Sequence, residues 1–512
     1  MSDRISNNKR IAKNTMMLYI RMLLSMVVSL YTSRVVLEVL GVEDYGIYGV
    51  VGGVVAMFSF LNSSMSGATS RFLTFEMGRG DAQRVRETFS SALIIHIGIA
   101  LVVLLLAETV GMWFLCNKLV IPEGRMVAAH WVYQCSIISA MLGFTQVPYN
   151  ASIIAHEKMD IYAYVEILNV SLKLLIVFLL KLVYNDKLIV YAVLMLAVSF
   201  VVMMVYRIYC MRNFAETKFR FVWKKEIFKP MLSFTGWDFY GNMCFTIRQQ
   251  GSNFLINNFF GVVANASSSI ATTVNSAISG LSSNIITAFR PRIIKSYSQQ
   301  NWDEMQSMIN NAIKFSTLFM LTLTVPVLFE TSFIVQLWLG EIPKYVESFI
   351  RLTLLANCVG IINTVIVIGI HATGRIKRLS LLTGTLFMLT IPVSFFFLKL
   401  GYDAAVVYGI SLVSNVLVVF SDIWILKNLI KEIRVLPILR VIANSVLIAL
   451  CAIVLVSFVY RGLEVGFHRL VTITICDILI MIILIYIFAL NKNQRSYVKD
   501  YILNKLHLNK RI

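Results

Sequence analysis

Four basic side chains fall inside apolar stretches long enough to cross a bilayer: Arg21 and Arg34 within 14–36, Lys173 within 161–181 and Arg248 within 230–256. An ionisable group at mid-bilayer costs about 2.5–3.5 kcal/mol on insertion scales and ordinarily faces a cavity or a partner. Cations lining such a cavity can grip a phosphate or diphosphate through charge-assisted hydrogen bonds. Counted from the basic end of each stretch, Arg21 lies in the inner half and Lys173 and Arg248 near the middle. Arg34 lies near the outer end, where snorkelling to the interface is the competing reading. Two acids share these stretches. Glu166 precedes Lys173 by seven residues, on the same helical face, and Asp238 precedes Arg248 by ten. Each reads either as a neutralising partner for its basic neighbour or as a carrier of proton or sodium coupling. Glu108, Asp422 and Asp477, nearer stretch ends or in the last pair of spans, are assigned no role.

The stretches 230–256 and 262–288 are rich in amides, with Asn242, Gln249, Gln250 and Asn253 in the first. Such side chains suit a wet cavity that hydrogen-bonds a hydroxyl-rich substrate; interhelical hydrogen bonding is the alternative. Gly49 and Gly53 form a GxxxG pair that lets a neighbouring backbone approach closely. Pro148, Pro326 and Pro392 interrupt apolar stretches and mark candidate hinges or bends. No HExxH, P-loop or GxSxG motif occurs, and the six histidines are scattered. The seven cysteines stand alone without a CxxC, as buried packing residues do. The expectation is therefore a protein that is not an enzyme and holds no cofactor or metal.

The elements that must position these residues are membrane spans. The 512-residue chain is 58% hydrophobic and only 14% charged, against about 25% charged in soluble domains. A span needs about 20 mainly apolar residues, and fourteen stretches qualify: 14–36, 46–68, 88–112, 127–153, 161–181, 188–206, 230–256, 262–288, 312–334, 346–370, 379–399, 404–426, 437–460 and 469–490. The basic, uncleaved start MSDRISNNKRIAKN leads into the first. Charge gives the orientation. With both termini cytoplasmic, the inside segments hold 33 Lys and Arg against 12 acids, and the outside loops 9 against 10, as the positive-inside rule requires. The net charge of +19 is thus a property of sidedness and implies no nucleic-acid partner.

A weak internal repeat divides the chain. At a shift of 220, Gly41 falls on Gly261, Val54 on Val274, Ser59 on Ser279, Leu61 on Leu281, Ser63 on Ser283 and Ala68 on Ala288; a second match, Ala155 with Ala372 and Lys158 with Arg375, needs 217. Six spans separate equivalent positions, so the repeats are parallel, with a site expected between them near the midplane. The expected organisation is an N-lobe over 1–206, a cytoplasmic linker over 207–229, a C-lobe over 230–427, and an appended pair of spans with a basic tail over 428–512.

A basic tail and first span, then LGVEDYGIYGVVGG (Leu40 to Gly53), then SRFLTFEMGRGD (Ser70 to Asp81), then twelve further spans, resemble the polysaccharide and O-antigen repeat-unit flippases. These belong to the multidrug/oligosaccharidyl-lipid/polysaccharide (MOP) exporter superfamily. The resemblance covers the layout of the whole chain, and the LG-x-x-x-YG turn is its most specific local feature. It implies an all-α polytopic membrane protein of about 14 helices, with two six-helix bundles in a V plus two extra helices. It further implies movement of undecaprenyl-diphosphate-linked oligosaccharide across the bacterial inner membrane, with membrane lipids and polysaccharide assembly proteins as partners and proton or sodium coupling as an option. Arg21, Lys173 and Arg248 match the family's cationic cavity by character and by helix, not by a signature. A cation-coupled multidrug exporter, a peptidoglycan-precursor flippase and a membrane polymerase or glycosyltransferase are the alternatives; short outside loops weigh against the last.

Overall fold

A computed structural model describes residues 15–26, 28, 31–32, 35–36, 38–41, 44, 47–48, 51–52, 59–117, 121–122, 124–182, 186–221, 224–340, 342–490 and 494–496. Among these, no strand occurs and nearly everything is helical. This is what a bilayer demands, because a helix satisfies its backbone groups internally. The helices are α1 Thr15–Met26, α2 Ser59–Arg79, α3 Ala82–Asn117, α4 Met126–Ala155, α5 Met159–Leu182, α6 Lys187–Asn213 and α7 Lys225–Ser298. They continue with α8 Trp302–Phe329, α9 Thr331–Leu339, α10 Val346–Thr373, α11 Lys377–Lys399, α12 Ala405–Leu429, α13 Val435–Arg461 and α14 Phe467–Ala489.

Ten of these, α3 to α6, α8 and α10 to α14, are long and apolar enough to cross a membrane. They coincide with ten of the fourteen expected stretches. Stretches 230–256 and 262–288 are the two arms of α7, which meet at Gly261 in a conformation no helix contains (φ 77°, ψ −169°). Stretches 14–36 and 46–68 fall partly outside the described residues, as does the Gly49/Gly53 pair. Large apolar side chains stand exposed along the spans, among them Leu105, Phe396, Leu450 and Ile483, as lipid-facing surfaces require. The chain is a multi-pass membrane protein.

Local chemistry sets the helix ends. Gly80 (φ 77°) stops α2 and Asp81 starts α3 by accepting from the Arg84 amide at 3.0 Å, an αL stop followed by an N-cap. Pro148, Pro326 and Pro392 sit inside unbroken α4, α8 and α11, so they interrupt none of these helices. In α3 the helix widens by one π turn at Ala107–Gly111, and the Ala107 carbonyl, which accepts from the Met112 amide, also accepts from the buried Tyr133 hydroxyl at 2.7 Å. α6 runs to Asn213, so the connection to α7 is shorter than the sequence suggests and carries a short 3₁₀ turn at Ala215–Thr217.

Left-handed residues recur at the repeat shifts. Gly41 (φ 80°) and Gly261 (φ 77°) are 220 apart, as are Gly80 (φ 77°) and Gln300 (φ 56°); Glu157 (φ 57°) and Gly374 (φ 75°) are 217 apart. A positive φ at a non-glycine is uncommon, so these coincidences carry the repeat further than the thin sequence identity does.

Two compact units result. The first contains Met1–Asn242 with two segments from far along the chain, Arg290–Asn301 and His371–Lys377. Within it α4 is the hub, packed on α2, α3 and α6, around Leu73, Phe89, Tyr149, Ile153, Tyr206 and Cys210. The second contains Met243–Phe289, Trp302–Ile370 and Arg378–Ile512. There α8, α13 and α14 pack together around Val325, Val456 and Ile473. A buried ion pair fastens this trio: Arg469 Nη2 donates to Glu330 Oε2 at 2.9 Å, while its guanidinium lies 4.4 Å from the Tyr460 ring.

Candidate functional site

In the first unit α1 and α5 lie side by side. The Arg21 guanidinium sits 4.5 Å from the Tyr162 ring, and one turn along both helices Ser25 Oγ donates to Glu166 Oε1 at 3.3 Å. Residue numbers rise together in these two contacts, so the helices run parallel there, as spans one and five must if both start on the same side. Glu166 also accepts from Asn169 at 3.4 Å. It does not pair with Lys173, because seven residues of helix separate them by about 10.5 Å. Lys173 is half-buried and makes no hydrogen bond or ion pair among the described residues. Arg21 Nε is buried and lacks an acceptor. An unpaired buried donor costs about 1–3 kcal/mol, more when charged, so these two cations have unused binding capacity. Arg34 lies outside the described residues.

In the second unit Arg248 is committed. Its Nη1 donates to Asn415 Oδ1 at 3.0 Å, and its guanidinium lies 4.2 Å from the Phe387 ring and 5.1 Å from Phe245. Asn415 is held in turn by the Ala356 carbonyl at 2.9 Å. Asn253 accepts from Ser268 Oγ at 2.7 Å across the Gly261 bend, and Tyr408 donates to the same Ser268 oxygen at 2.7 Å. Gln249 and Gln250 are exposed.

Asp238 and Asn242 belong to the first unit, where Asn242 Nδ2 donates to Asp238 Oδ2 at 3.1 Å. Asp238 does not meet Arg248, since ten helical residues place the two about 15 Å apart and on different faces. Its other oxygen stands 3.6 Å from His371 Nε2. His371 belongs to a cluster the sequence did not disclose. Arg71 donates from Nε to the His371 carbonyl at 3.1 Å and from Nη2 to the Ala372 carbonyl at 2.8 Å. The last carbonyls of a helix are short of donors; at the end of α10 the His371 carbonyl also accepts from the Gly374 amide at 3.0 Å, and the buried guanidinium caps it together with the Ala372 carbonyl. Arg292 Nε donates to Glu157 Oε2 at 3.0 Å, with both side chains buried.

These two contacts are reciprocal under the repeat. Arg71 on α2 grips the end of α10, while Arg292 at the end of α7 grips the turn after α4. α2 corresponds to the second arm of α7, and α4 to α10. All four partners lie on the Lys- and Arg-rich side of the chain. Arg71 stands inside the SRFLTFEMGRGD segment, but nothing in its spacing marks a partner three hundred residues away.

Two further arrangements bear on function. Asp422, fully buried on α12, accepts from Asn363 Nδ2 at 2.6 Å and from Thr383 Oγ1 at 2.9 Å, a carboxylate with neutral partners inside a span. On the opposite side of the chain, Arg125 bridges Asp44 (Nε to Oδ1, 2.9 Å) and Asp186 (Nη1 to Oδ2, 2.6 Å). This ties Asp44 of the LGVEDYG segment to the start of α6. A cavity of about 360 Å³ in the first unit is lined by Tyr48, Gly52, Ser136, Ser139 and Ser199, among others; none of the expected site residues borders it.

Comparison with known proteins completes the description. Residues 9–297 match the family described as polysaccharide biosynthesis protein. No curated protein matches the sequence. Solved structures share the fold. An outward-facing multidrug resistance MATE family transporter of the MOP superfamily matches at TM-score 0.67 and 14% identity, covering 83% of this chain and 96% of that one. A MATE protein in its bent conformation gives 0.68 at 14%, covering 86% and 97%. A MOP superfamily transporter from Pyrococcus furiosus, described as having a binding pocket of reverse polarity, gives 0.64 at 15%, covering 82% and 95%.

Proposed function

The chain belongs to the polysaccharide biosynthesis protein family, and from that premise we propose that it is a flippase for lipid-linked oligosaccharide. It carries undecaprenyl-diphosphate-linked repeat units across the bacterial inner membrane for O-antigen or capsular polysaccharide assembly. The observation that supports this most is the unused cationic capacity of the first unit: Arg21 with a buried donor lacking an acceptor, and Lys173 without a partner. A diphosphate supplies the acceptors they lack. Arg248, and Arg34 nearer the outside, extend the cationic path, and the exposed Gln249 and Gln250 meet the sugars.

Alternating access needs a side that closes and reopens. Arg71 on the α10 carbonyls and Arg292 on Glu157 are the contacts we assign to such a side, since both join distant parts of the chain on its Lys- and Arg-rich side. Glu166, Asp238 and Asp422 are the carboxylates available for proton or sodium coupling. Asp422 also favours a second reading, a cation-coupled multidrug exporter, because a buried acid in a span suits that chemistry. A deletion strain separates the two: loss of surface polysaccharide with ordinary drug tolerance supports the flippase, and hypersensitivity to cationic drugs with normal polysaccharide supports the exporter. Lysis on depletion would instead indicate a peptidoglycan-precursor flippase. Within the flippase reading, Arg21→Gln and Lys173→Gln combined abolish surface polysaccharide at unchanged protein level; unchanged polysaccharide removes the cavity assignment.

A further inference from the structure

α8, α13 and the end of α14 line a cavity of about 420 Å³ in the second unit, and none of the residues placed in the transport path borders it. Three cations line it: Lys314 on α8, and Arg434 and Arg440 at the start of α13. Lys314 is buried, and its Nζ donates to the Ala489 carbonyl and to Gln494 Oε1, both at 3.0 Å. An ammonium has three donors, so one remains for the cavity. Arg434 and Arg440 are exposed, and their guanidinium groups make no hydrogen bond or ion pair among the described residues. The Arg434 amide donates to Gln306 Oε1 at 2.8 Å, which joins the start of α13 to the first turns of α8. Two carboxylates, Asp303 and Glu432, stand exposed among the lining residues, leaving a surplus of one positive charge.

The lining is graded. Arg440, Asn444 and Ile448 follow one another at four-residue spacing on α13, so polarity falls from guanidinium to methyl over about 12 Å. Val441 and Phe488 complete the apolar end. A free phosphate has no use for that end, whereas a phospholipid presents a phosphodiester followed by glycerol and acyl carbons. The segments 290–314 and 427–440, which supply the three cations, both lie on the Lys- and Arg-rich side, the cytoplasmic one by the charge bias. Basic pockets between transmembrane helices on that side bind anionic lipid headgroups.

We propose that this cavity holds the headgroup of a monoanionic phospholipid of the cytoplasmic leaflet, with its phosphodiester on Lys314, Arg434 and Arg440 and its first acyl carbons on Ile448 and Phe488. A bound lipid there ties α8, α13 and α14 together at their cytoplasmic ends, independently of what the protein transports.

The test uses the full-length protein in detergent, titrated with phosphatidylglycerol, phosphatidylcholine, inorganic phosphate or undecaprenyl diphosphate. Native mass spectrometry reads retention and a thermal shift reads binding. Phosphatidylglycerol is retained in preference to phosphatidylcholine, and Arg434→Gln with Arg440→Gln weakens it roughly thirtyfold. Both arginines are exposed, so the pair of changes spares the fold. Arg375→Gln with Arg378→Gln, exposed on the same side but outside the cavity, leaves binding unchanged. Equal retention of the two phospholipids overturns the proposal, as does equal weakening by the control pair. Saturation by inorganic phosphate alone reassigns the cavity to a free anion, and retention of undecaprenyl diphosphate alone reassigns it to the substrate; either result also overturns it.

Discussion

Arg292 and Glu157 form a buried ion pair at 3.0 Å between the end of α7 and the turn after α4. Under the internal repeat, Glu157 corresponds to Gly374, and both hold left-handed backbone (φ 57° and 75°). The other half of the relationship lies at Gly374, where the Arg71 guanidinium occupies the space a side chain would need. The chain thus uses one turn twice. In one copy the turn carries a carboxylate that receives an arginine; in the other it is bare, and an arginine reaches past it to the helix-end carbonyls.

Removing one member of the buried pair costs more than removing both. Arg292→Met or Glu157→Met alone leaves an uncompensated buried charge, worth about 3–5 kcal/mol of destabilisation. The double variant recovers most of that. Thermal denaturation of the purified variants checks it, and additive losses would contradict a direct pair.

Gly374→Ala adds a Cβ that meets Arg71 Nη2 at 2.8 Å, on a backbone of positive φ. The backbone alone accounts for about 1–2 kcal/mol, and displacing the guanidinium removes its hydrogen bonds to the Ala372 carbonyl and to the His371 carbonyl, which keeps the Gly374 amide. Arg71→Lys keeps the charge and loses the two-carbonyl grip, so it is not conservative here. Both variants raise the labelling rate of a cysteine placed at Ala372 by a membrane-impermeant thiol reagent in inside-out vesicles, relative to the same cysteine in an otherwise native chain. An unchanged rate would mean that Arg71 does not control access there.

Much of this fold was legible in the sequence, because helix length and apolar content are local properties. Ten of the fourteen stretches recur as helices long enough to span, and 230–256 and 262–288 recur as the two arms of α7; of the cysteines expected to be buried, Cys135, Cys210, Cys244 and Cys358 are, whereas Cys116 is exposed. The partners of the charges were not legible. Glu166 and Asp238 sit seven and ten residues from basic neighbours, yet they bond to Ser25 and Asn242, since helical rise separates residues that share a sequence window. Asp422 lies where the sequence suggests a helix end, and its neutral partners come from two other helices. Arg71 and Arg292 looked like ordinary basic loop residues until the repeat brought their targets to them.

The Arg125 bridge gives a pH dependence on the outer side. Burial pushes the Asp186 carboxyl upward, but hydrogen bonds from Arg125 and from the Ile189 and Leu188 amides outweigh it and hold the group below its ordinary value. A depressed carboxylate stabilises the fold above its unfolded pKa of about 3.9, and that contribution disappears as pH falls through the lower folded value. Asp186→Asn therefore lowers the thermal midpoint at neutral pH. The gap to the native protein narrows below about pH 4; a gap constant with pH would exclude the ionised carboxylate as its source.

Asp477 on α14 is fully buried, and neither carboxylate oxygen has a hydrogen-bond partner. Burying an unsatisfied polar group costs about 1–3 kcal/mol. Asp477→Leu, which keeps the branching and the number of heavy atoms, raises the thermal midpoint, whereas Asp422→Leu lowers it by stranding Asn363 and Thr383. A fall in midpoint for Asp477→Leu would reveal a partner such as an ion or ordered water.

Arg21 and Arg248 separate by role. Arg21→Gln reduces transport with little loss of folded protein, because its Nε has no acceptor to lose. Arg248→Gln reduces both, because Asn415 and Phe387 are arranged around the guanidinium. Size-exclusion yield beside surface polysaccharide in the same strains distinguishes them, and matched losses of yield would make Arg21 a structural residue as well.

The most direct measurement is translocation by the purified protein in proteoliposomes. Undecaprenyl-diphosphate-linked oligosaccharide is loaded in the lipid phase, and its appearance at the opposite face is read with a membrane-impermeant glycosidase or lectin. Protein-dependent transfer that falls to the protein-free rate in the Arg21→Gln, Lys173→Gln, Arg248→Gln variant is the predicted result. Transfer no faster than in protein-free vesicles, from a preparation that moves an organic cation instead, would contradict the assignment.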